Sequence, residues 1–202
     1  MTTILDTPLI LSDSAQDLLF REARTANSFT DQPVTAAQVE AIHELVKYGP
    51  TALNGQPLRV VLVRSPEARA RLATHLGGSN KDKTAAAPLV AVLAYDVDFH
   101  EHLPRVFPHV PGLKDNFSDE AVRHGLARSS ALLQAGYFIV GVRAAGLAAG
   151  PMGGFDADGL DADFFPDGRI KSVLVVNIGH PGPDAWLDRL PRLTYDEVVT
   201  TV

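Results

Sequence analysis

The chain has 202 residues, 46% of them hydrophobic and 21% charged, so it can bury the core of one domain. Its formal net charge of −6 and its scattered basic residues argue against a nucleic-acid partner. The absence of cysteine excludes disulfides, thiolate nucleophiles and cysteine-ligated metal sites. No apolar run approaches the ~20 residues that cross a bilayer, and no signal-peptide pattern opens the chain, so we expect a soluble cytoplasmic protein without a membrane partner.

The first half of the chain alternates predicted helices and strands. Apolar residues at helical spacing follow the possible caps Ser12 and Asp13, and this helix leaves Arg24 at or just past its end. Capping signals, proline positions and β-branched runs then predict four elements: a helix over 35–47, a strand over 58–64, a helix from Ser65 to the Gly77-Gly78 pair, and a buried strand over 88–95.

The segment over residues 98–117 interrupts this alternation. It holds several prolines and aromatic residues and three histidines, and it is too long for a simple connection. We expect it to form a lid or an excursion over a site. His100, His102 and His109 could suggest a metal, but alternating histidines without a fixed carboxylate partner are more typical of a solvated loop, so we predict no metal site.

The second half contains the longest predicted helix, from a cap at Ser118 to about Arg143, with apolar residues nearly all round that indicate a buried central helix. The remaining signals predict a turn over 150–156, a short acidic helix over 156–165, a strand over 170–178 and a final capping box over 194–197. Hairpin signals are absent. These elements predict one domain over residues 1–202, of the α+β class, with helices packed on a mixed sheet.

Three short motifs have the composition of a ligand site. The loop over residues 49–57, Gly-Pro-Thr-Ala-Leu-Asn-Gly-Gln-Pro, combines two prolines, two glycines and two side-chain amides, which fixes the backbone and lets polar groups point outward. Asn80 and Lys83 share one face of a helical turn, so an amide and a cation can reach one ligand edge. Gly153 and Gly154 let the backbone approach a flat ligand and offer it N–H groups. A solvated helix start and an ordinary turn are the simpler alternatives for the last two motifs.

In this order along the chain, the motifs resemble those of the nitroreductase family of flavin enzymes. The 49–57 loop is similar to the family's Pro-Ser-Ser-x-Asn-x-Gln-Pro-Trp loop, with Thr51-Ala52 in place of Ser-Ser. The Asn80-x-x-Lys83 spacing is similar to the family's position beside the pyrimidine edge of FMN, and Gly154-Phe-Asp matches a family run that often follows glutamate, here Gly153. Three further stretches look most like the malonic semialdehyde reductases of pyrimidine degradation: Lys47-Tyr-Gly-Pro-Thr51, Val106-Phe-Pro-His109 and Arg189-Leu-Pro-Arg-Leu193.

The resemblance implies a nitroreductase-like fold: a central mixed, mainly antiparallel sheet flanked by helices, in an intertwined homodimer with FMN at the interface. It implies that one protomer contributes the 49–57 loop to the flavin site. The flavin-facing residues of that loop are Thr51, Ala52 and Asn54. Asn80 and Lys83 would face the flavin from the opposite protomer, and the turn with Met152, Gly153 and Gly154 would also bind it.

The resemblance also implies roles for individual side chains. Arg24 matches the arginine of the family's N-terminal Arg-x-Ser-x-Arg/Lys pattern, and Arg189 and Arg192 lie at its C-terminal basic element, so these arginines would bind the FMN phosphate. A solvated surface residue is an equally good explanation for Arg189. Lys83 would stabilise the negative charge that reduction places on flavin N1 and O2, and the N–H of Gly153 would contact N5, with no obligatory acid or base.

The implied activity is ping-pong oxidoreduction, in which NAD(P)H reduces FMN and a small acceptor then reoxidises it. A malonic semialdehyde reductase needs a cation for the substrate carboxylate, and Arg105 or Lys114 could supply it. A broad nitroarene or quinone reductase would instead use aromatic rings as a stacking wall, for which the candidates are Phe99, Phe107 and Phe117. A flavin-binding protein without turnover is the alternative of another class. The sequence leaves the acceptor and the choice between NADH and NADPH open.

Overall fold

The computed structural model describes residues 9–202. Four strands form one sheet in the order β1-β2-β4-β3, and each neighbouring pair is antiparallel. The strands are β1 (Leu58–Val63), β2 (Leu89–Asp96), β3 (Ala148–Met152) and β4 (Ile170–Gly179). Helices flank this sheet, which confirms the predicted α+β fold class.

The helices are placed mostly as predicted. They are α1 (Asp13–Gln16, continued by a π-helical turn over Asp17–Arg21), α2 (Ala36–Val46), α3 (Pro66–Thr74), α4 (Ser79–Ala86), α5 (Leu103–Val106), α6 (Glu120–Ala144), α7 (Ala157–Phe164) and α8 (Tyr195–Val198). The capping box that begins α2 is formed, because the Thr35 hydroxyl accepts from the Gln38 N–H and the Gln38 side chain accepts from the Thr35 N–H. Ser65 caps α3, with Pro66 in its first turn.

Both faces of the sheet are packed, and successive side chains of β2 point alternately into the two halves of the core. Leu89, Ala91 and Leu93 face α2 and α6, whereas Val90 and Val92 face α3 and α7. All eight residues of β2 are buried. Helix α3 therefore lies on one side of the sheet with α4 packed against it, and the short connection from α4 to β2 fixes the position of Asn80 and Lys83.

Two predicted boundaries in the second half are wrong. The cap of α6 is Asp119 rather than Ser118, since the Asp119 carboxylate accepts from the N–H groups of Ala121 and Val122. Residues 150–152 belong to β3 rather than to a turn. The proline and glycine of this segment are untypical of a strand, so the sequence pattern did not indicate one. Pro151 is tolerated because β3 lies at the sheet edge. Glycine is needed at position 150 because a Cβ there would come within 2.7 Å of the Ala26 carbonyl oxygen.

The central helix α6 is buried on one face only. Ala127, Ala131 and Val142 are completely buried, whereas Leu133 and Tyr137 on the opposite face are 55% and 47% exposed. The predicted buried central helix is thus buried on one face within one chain, and its other apolar face is left for another contact.

Candidate functional site

The predicted cation Lys83 is held by a residue that was not predicted. Its Nζ donates to Asn27 Oδ1 at 2.7 Å. The Asn27 amide nitrogen donates in turn to the carbonyl oxygens of Thr25 at 3.2 Å and Ala185 at 3.4 Å. The backbone N–H of Asn27 donates to the same Ala185 oxygen at 2.9 Å. The segment before β1 and the segment after β4 therefore meet at Asn27, directly beside Lys83.

Asn80 and the glycine pair are also brought together. Asn80 Nδ2 donates to the Gly154 carbonyl oxygen at 3.3 Å. The N–H groups of Gly153 and Gly154 donate to no group within residues 9–202, and a Cβ on Gly153 would meet open space. This turn is anchored by the Asp156 N–H, which donates to the His75 carbonyl oxygen at 2.8 Å. Two exposed N–H groups are thus presented next to α4.

Met152 precedes this turn and is partly buried beside α4. Its sulfur lies 3.8 Å from Thr84 Oγ1, which also contacts Asn177 Oδ1 at 3.1 Å. Thr84 and Asn177 are both buried in the core below. Met152 therefore links the glycine turn, which it precedes, to Thr84 of α4.

The three predicted phosphate-binding arginines line one cavity of about 310 Å³, together with Asn27. Arg24 donates to the Leu187 carbonyl oxygen at 3.3 Å, and its Nε is buried with no acceptor in the described residues. Arg189 donates to the carbonyl oxygens of Arg21 and Ala23, and Arg192 to those of Leu190 and Pro191. Asn27 joins this basic cavity to Lys83, so the two form one continuous surface.

The 49–57 loop has an unusual backbone. Leu53, Asn54 and Gln56 have φ angles of 55°, 50° and 46°, a left-handed region that leucine rarely adopts. Gly55 is packed so closely on the Phe99 ring that a Cβ would approach it to 2.7 Å. Strain of this kind persists where the surroundings impose it, commonly at ligand-binding sites.

The two amides of this loop, of which Asn54 is exposed, are hydrogen-bonded within the molecule. Asn54 Nδ2 donates to the Val106 carbonyl oxygen at 2.8 Å, and Gln56 Nε2 donates to Asn54 Oδ1 at 3.1 Å. The Thr51 hydroxyl accepts from the Gln56 N–H at 3.2 Å, and the Ala52 N–H donates to Ser130 Oγ at 3.3 Å. The side-chain amides fix the loop itself, because its strained backbone needs partners for its polar groups.

The loop lies at the opposite end of β2 from Lys83. It leads into Leu58, which pairs with Tyr95 near the end of β2, whereas α4 leads into Leu89 at its start. Eight residues of β-strand span roughly 23 Å. One chain therefore does not bring Thr51, Ala52 and Asn54 to the surface that carries Lys83 and the arginines.

Comparison with known proteins identifies this arrangement. A model of the Nitroreductase family matches residues 20–180. The chain belongs to the nitroreductase family. A Streptomyces coelicolor protein with the provisional name NADH dehydrogenase/NAD(P)H nitroreductase is 64% identical over 195 residues, covering 96% of this chain and 99% of that protein.

Solved structures of other nitroreductases share the fold. One, from Exiguobacterium sibiricum and in complex with FMN, has a TM-score of 0.83 at 18% identity and covers 95% of this chain and 98% of its own. Another, provisionally named an NAD(P)H:FMN oxidoreductase, from Staphylococcus epidermidis, has a TM-score of 0.82 at 17% identity and covers 96% and 98%. The prediction of a nitroreductase-family oxidoreductase is confirmed, and the predicted cofactors, FMN and NAD(P)H, are those named for these proteins.

The predicted substrate residues of the 98–117 segment differ in their exposure and their partners. Phe99 and Phe117 are only 1% and 8% exposed and pack edge to face in the core, so the predicted stacking wall is wrong for these two rings. Phe107 is partly exposed and lies against His109. Lys114 is paired with Glu101 at 3.3 Å. Phe99 and Phe117 are buried because the three short helical turns of this segment need an apolar core of their own.

Arg105 differs from Lys114 because it lines a cavity of about 580 Å³ between α2, β1 and α5. The same cavity is lined by Gln56 of the strained loop and by Lys47. Because Asn54 ties the loop to the carbonyl oxygen of Val106, the 98–117 segment and the loop form one unit. Its role as a lid stays a prediction.

Two further observations concern metals and membranes. Within residues 9–202, no three His, Asp or Glu side chains are grouped as ligands for a metal ion. In the same residues, no helix combines the length and apolarity that a membrane span requires.

Proposed function

We propose that this protein is an FMN-dependent NAD(P)H oxidoreductase whose own residues hold the cofactor along the surface from Arg24 to Gly154. The observation that carries the proposal is the continuity of this surface: the basic cavity, Asn27, Lys83 and the glycine turn follow one another without interruption. The chemistry fits the group, since the buried Arg24 Nε lacks an acceptor in the described residues and the N–H groups of Gly153 and Gly154 are unused there.

Each part of the surface has a distinct task in this proposal. Arg24, Arg189 and Arg192 bind a phosphate dianion by charge-assisted hydrogen bonds. Bound FMN supplies hydride transfer at N5, chemistry that no side chain of the protein provides. Lys83 supplies a fixed positive charge where negative charge develops, and the N–H of Gly153 donates a hydrogen bond to the reacting edge. The protein thus orients and stabilises, and no side chain is assigned a proton transfer.

A homodimer completes the site in this proposal. The strained loop and Lys83 lie at opposite ends of the sheet, so a loop from a second copy is needed beside the first copy's Lys83. The exposed face of α6, with Leu133 and Tyr137, supports this because a large apolar surface is typical of an interface. The segment after β4 exposes further apolar side chains, among them Leu187, Leu190, Leu193, Tyr195 and Val198.

For the acceptor, we propose a small carboxylated aldehyde such as malonic semialdehyde. Arg105 supports this choice because it makes no ion pair within residues 9–202 and lines a cavity, so its charge is available to a carboxylate. The nitroarene and quinone alternative loses support with the burial of Phe99 and Phe117. Steady-state turnover of both acceptors by one FMN-saturated preparation, with NADH and with NADPH, decides between them.

We expect the purified protein to be a yellow dimer with non-covalent FMN. Size-exclusion chromatography with light scattering measures the mass, and the flavin released by heat is quantified by its absorbance. Anaerobic NADPH should bleach the bound flavin rapidly, whereas a storage or sensor protein would leave it oxidised. A monomer that binds no added FMN would contradict the whole assignment.

Lys83→Met should lower the flavin midpoint potential and slow its reduction by NAD(P)H. The charge of Lys83 acts on the reduced state more than on the oxidised state, so its loss costs about 1–3 kcal/mol of differential stabilisation. For a two-electron couple this is roughly 20–65 mV. Dye equilibration measures the potential, and Lys81→Met, on an exposed position of the same helix, is the matched control. Equal potentials in wild type and Lys83→Met would remove the charge-stabilising role.

A further inference from the structure

The orientation of the Asn27 side chain is determined by its surroundings. Its nitrogen has two carbonyl oxygens as partners, those of Thr25 and Ala185, and its oxygen faces the Lys83 ammonium. Rotating the amide by 180° would place an N–H₂ group against the ammonium and an oxygen against two carbonyls. Both changes are unfavourable, so only one orientation satisfies every group.

The partner that holds Lys83 is therefore a neutral acceptor. A lysine side chain has four flexible bonds and needs a partner to hold its ammonium in place. A carboxylate would hold it more strongly but would cancel its charge, and Lys83 forms no ion pair with a carboxylate within residues 9–202. An amide oxygen fixes the ammonium and leaves its net charge intact.

We propose that Asn27 is a positioning residue that fixes Lys83 through a neutral acceptor and so keeps its full positive charge directed at the cofactor. This inference rests on the proposed FMN site. It explains why an asparagine lies where the basic cavity meets α4, since its backbone and its amide both bind Ala185 while its oxygen binds Lys83. The Asn27 amide thus holds the Lys83 ammonium in place without cancelling its positive charge.

The test substitutes Asn27→Asp, which keeps the shape and replaces the neutral acceptor by a charged one. We expect the ratio of affinities for reduced and oxidised FMN to fall about tenfold, which lowers the midpoint potential by roughly 30 mV. Gln38→Glu adds the same charge at a position where glutamate also completes a capping box, and it should leave the potential unchanged. The potential is measured by dye equilibration, and folding by circular dichroism.

A double-mutant cycle separates an action through Lys83 from a general charge effect. Asn27→Leu, which removes the acceptor without adding a charge, should lower the potential in the wild-type background and lower it by less than a third as much in the Lys83→Met background. An equal shift in both backgrounds would overturn the inference, as would no shift from Asn27→Asp while Lys83→Met alone lowers the potential. The second result would leave the proposed function intact, whereas failure of FMN to bind to the wild type would defeat both.

Asn27→Leu provides a second route if the aspartate variant does not fold. It removes the acceptor without adding a charge, so it releases the ammonium and should slow hydride transfer about threefold at saturating NAD(P)H. The KM for NAD(P)H should change less than kcat, and the effect should vanish in the Lys83→Met background. An equal slowing in both backgrounds would show a merely structural role and overturn the inference.

Discussion

Replacement of Arg24 by alanine is expected to weaken FMN binding ten- to a hundredfold, while hydride transfer in the FMN-saturated variant stays within about twofold of wild type. The guanidinium is half-buried at the junction of the basic cavity, and its Nε has no acceptor in residues 9–202. A phosphate oxygen would supply that acceptor, and a charge-assisted hydrogen bond of this kind contributes about 1.5–3 kcal/mol. Because the phosphate is remote from the reacting ring, the loss should appear in affinity and not in the chemical step.

The measurement is titration of apoprotein with FMN, followed by quenching of flavin fluorescence. Arg192→Ala should give a smaller loss, because its guanidinium is exposed and bonded only to neighbouring backbone carbonyls. Arg64→Ala is the control: that arginine is exposed and donates to the Val34 carbonyl oxygen, away from the cavity. If Arg24→Ala binds FMN as tightly as Arg64→Ala, the phosphate is bound elsewhere.

The elements that were predicted best are those with local signals. The helices α2 and α3 begin at Thr35 and Ser65 because the hydroxyl of each accepts a backbone N–H of its own first turn, an interaction between residues close in the chain. The strand β3 was missed because its evidence is not local. Its residues include Gly150 and Pro151, and only pairing with β4 and the approach of Ala26 make a strand of them.

The site residues also divide into those with a local sequence signal and those without one. The spacing of Asn80 and Lys83 on α4 and the adjacent Gly153-Gly154 pair were visible as short motifs, and the fold brings them together. Asn27 was missed because its partners are 56 and 158 positions away along the chain. A usable signal exists: Asn27 is a polar residue between the buried Ala26 and the partly buried Phe29, in a segment that starts at a candidate arginine. Its partner, however, is set only by the fold.

The buried carboxylate of Asp96 should give the largest effect on stability. It is 2% exposed at the end of β2 and accepts from Arg169 Nε at 2.8 Å, Arg169 Nη2 at 2.9 Å and Arg59 Nη2 at 2.6 Å. The Asp98 N–H donates to it at 2.9 Å. Since Arg59 belongs to β1 and Arg169 precedes β4, one side chain joins the ends of three strands.

Asp96→Asn should therefore lower the free energy of unfolding by about 3 kcal/mol and the melting temperature by roughly 6–12 °C. The amide keeps the shape, but it removes the charge that two guanidinium groups bind and turns one N–H₂ group toward them. Calorimetry or a urea titration measures the change. Asp31→Asn, at an exposed position, is the control and should stay within about 0.5 kcal/mol of wild type.

The dependence on pH gives this prediction a second readout. Burial raises the pKa of Asp96, but the hydrogen bonds from Arg169 and the charge of Arg59 outweigh it, so the pKa lies below its ordinary value of 3.8. A carboxyl group whose pKa is lower in the folded state stabilises the fold above the unfolded pKa and loses that contribution as the pH falls through the folded pKa. The difference in stability between wild type and Asp96→Asn should be constant above about pH 5 and should shrink below about pH 4. A difference that stays the same down to pH 3 would mean that the charge of Asp96 contributes nothing, and that the variant is destabilised only by the shape and hydrogen-bonding pattern of the amide.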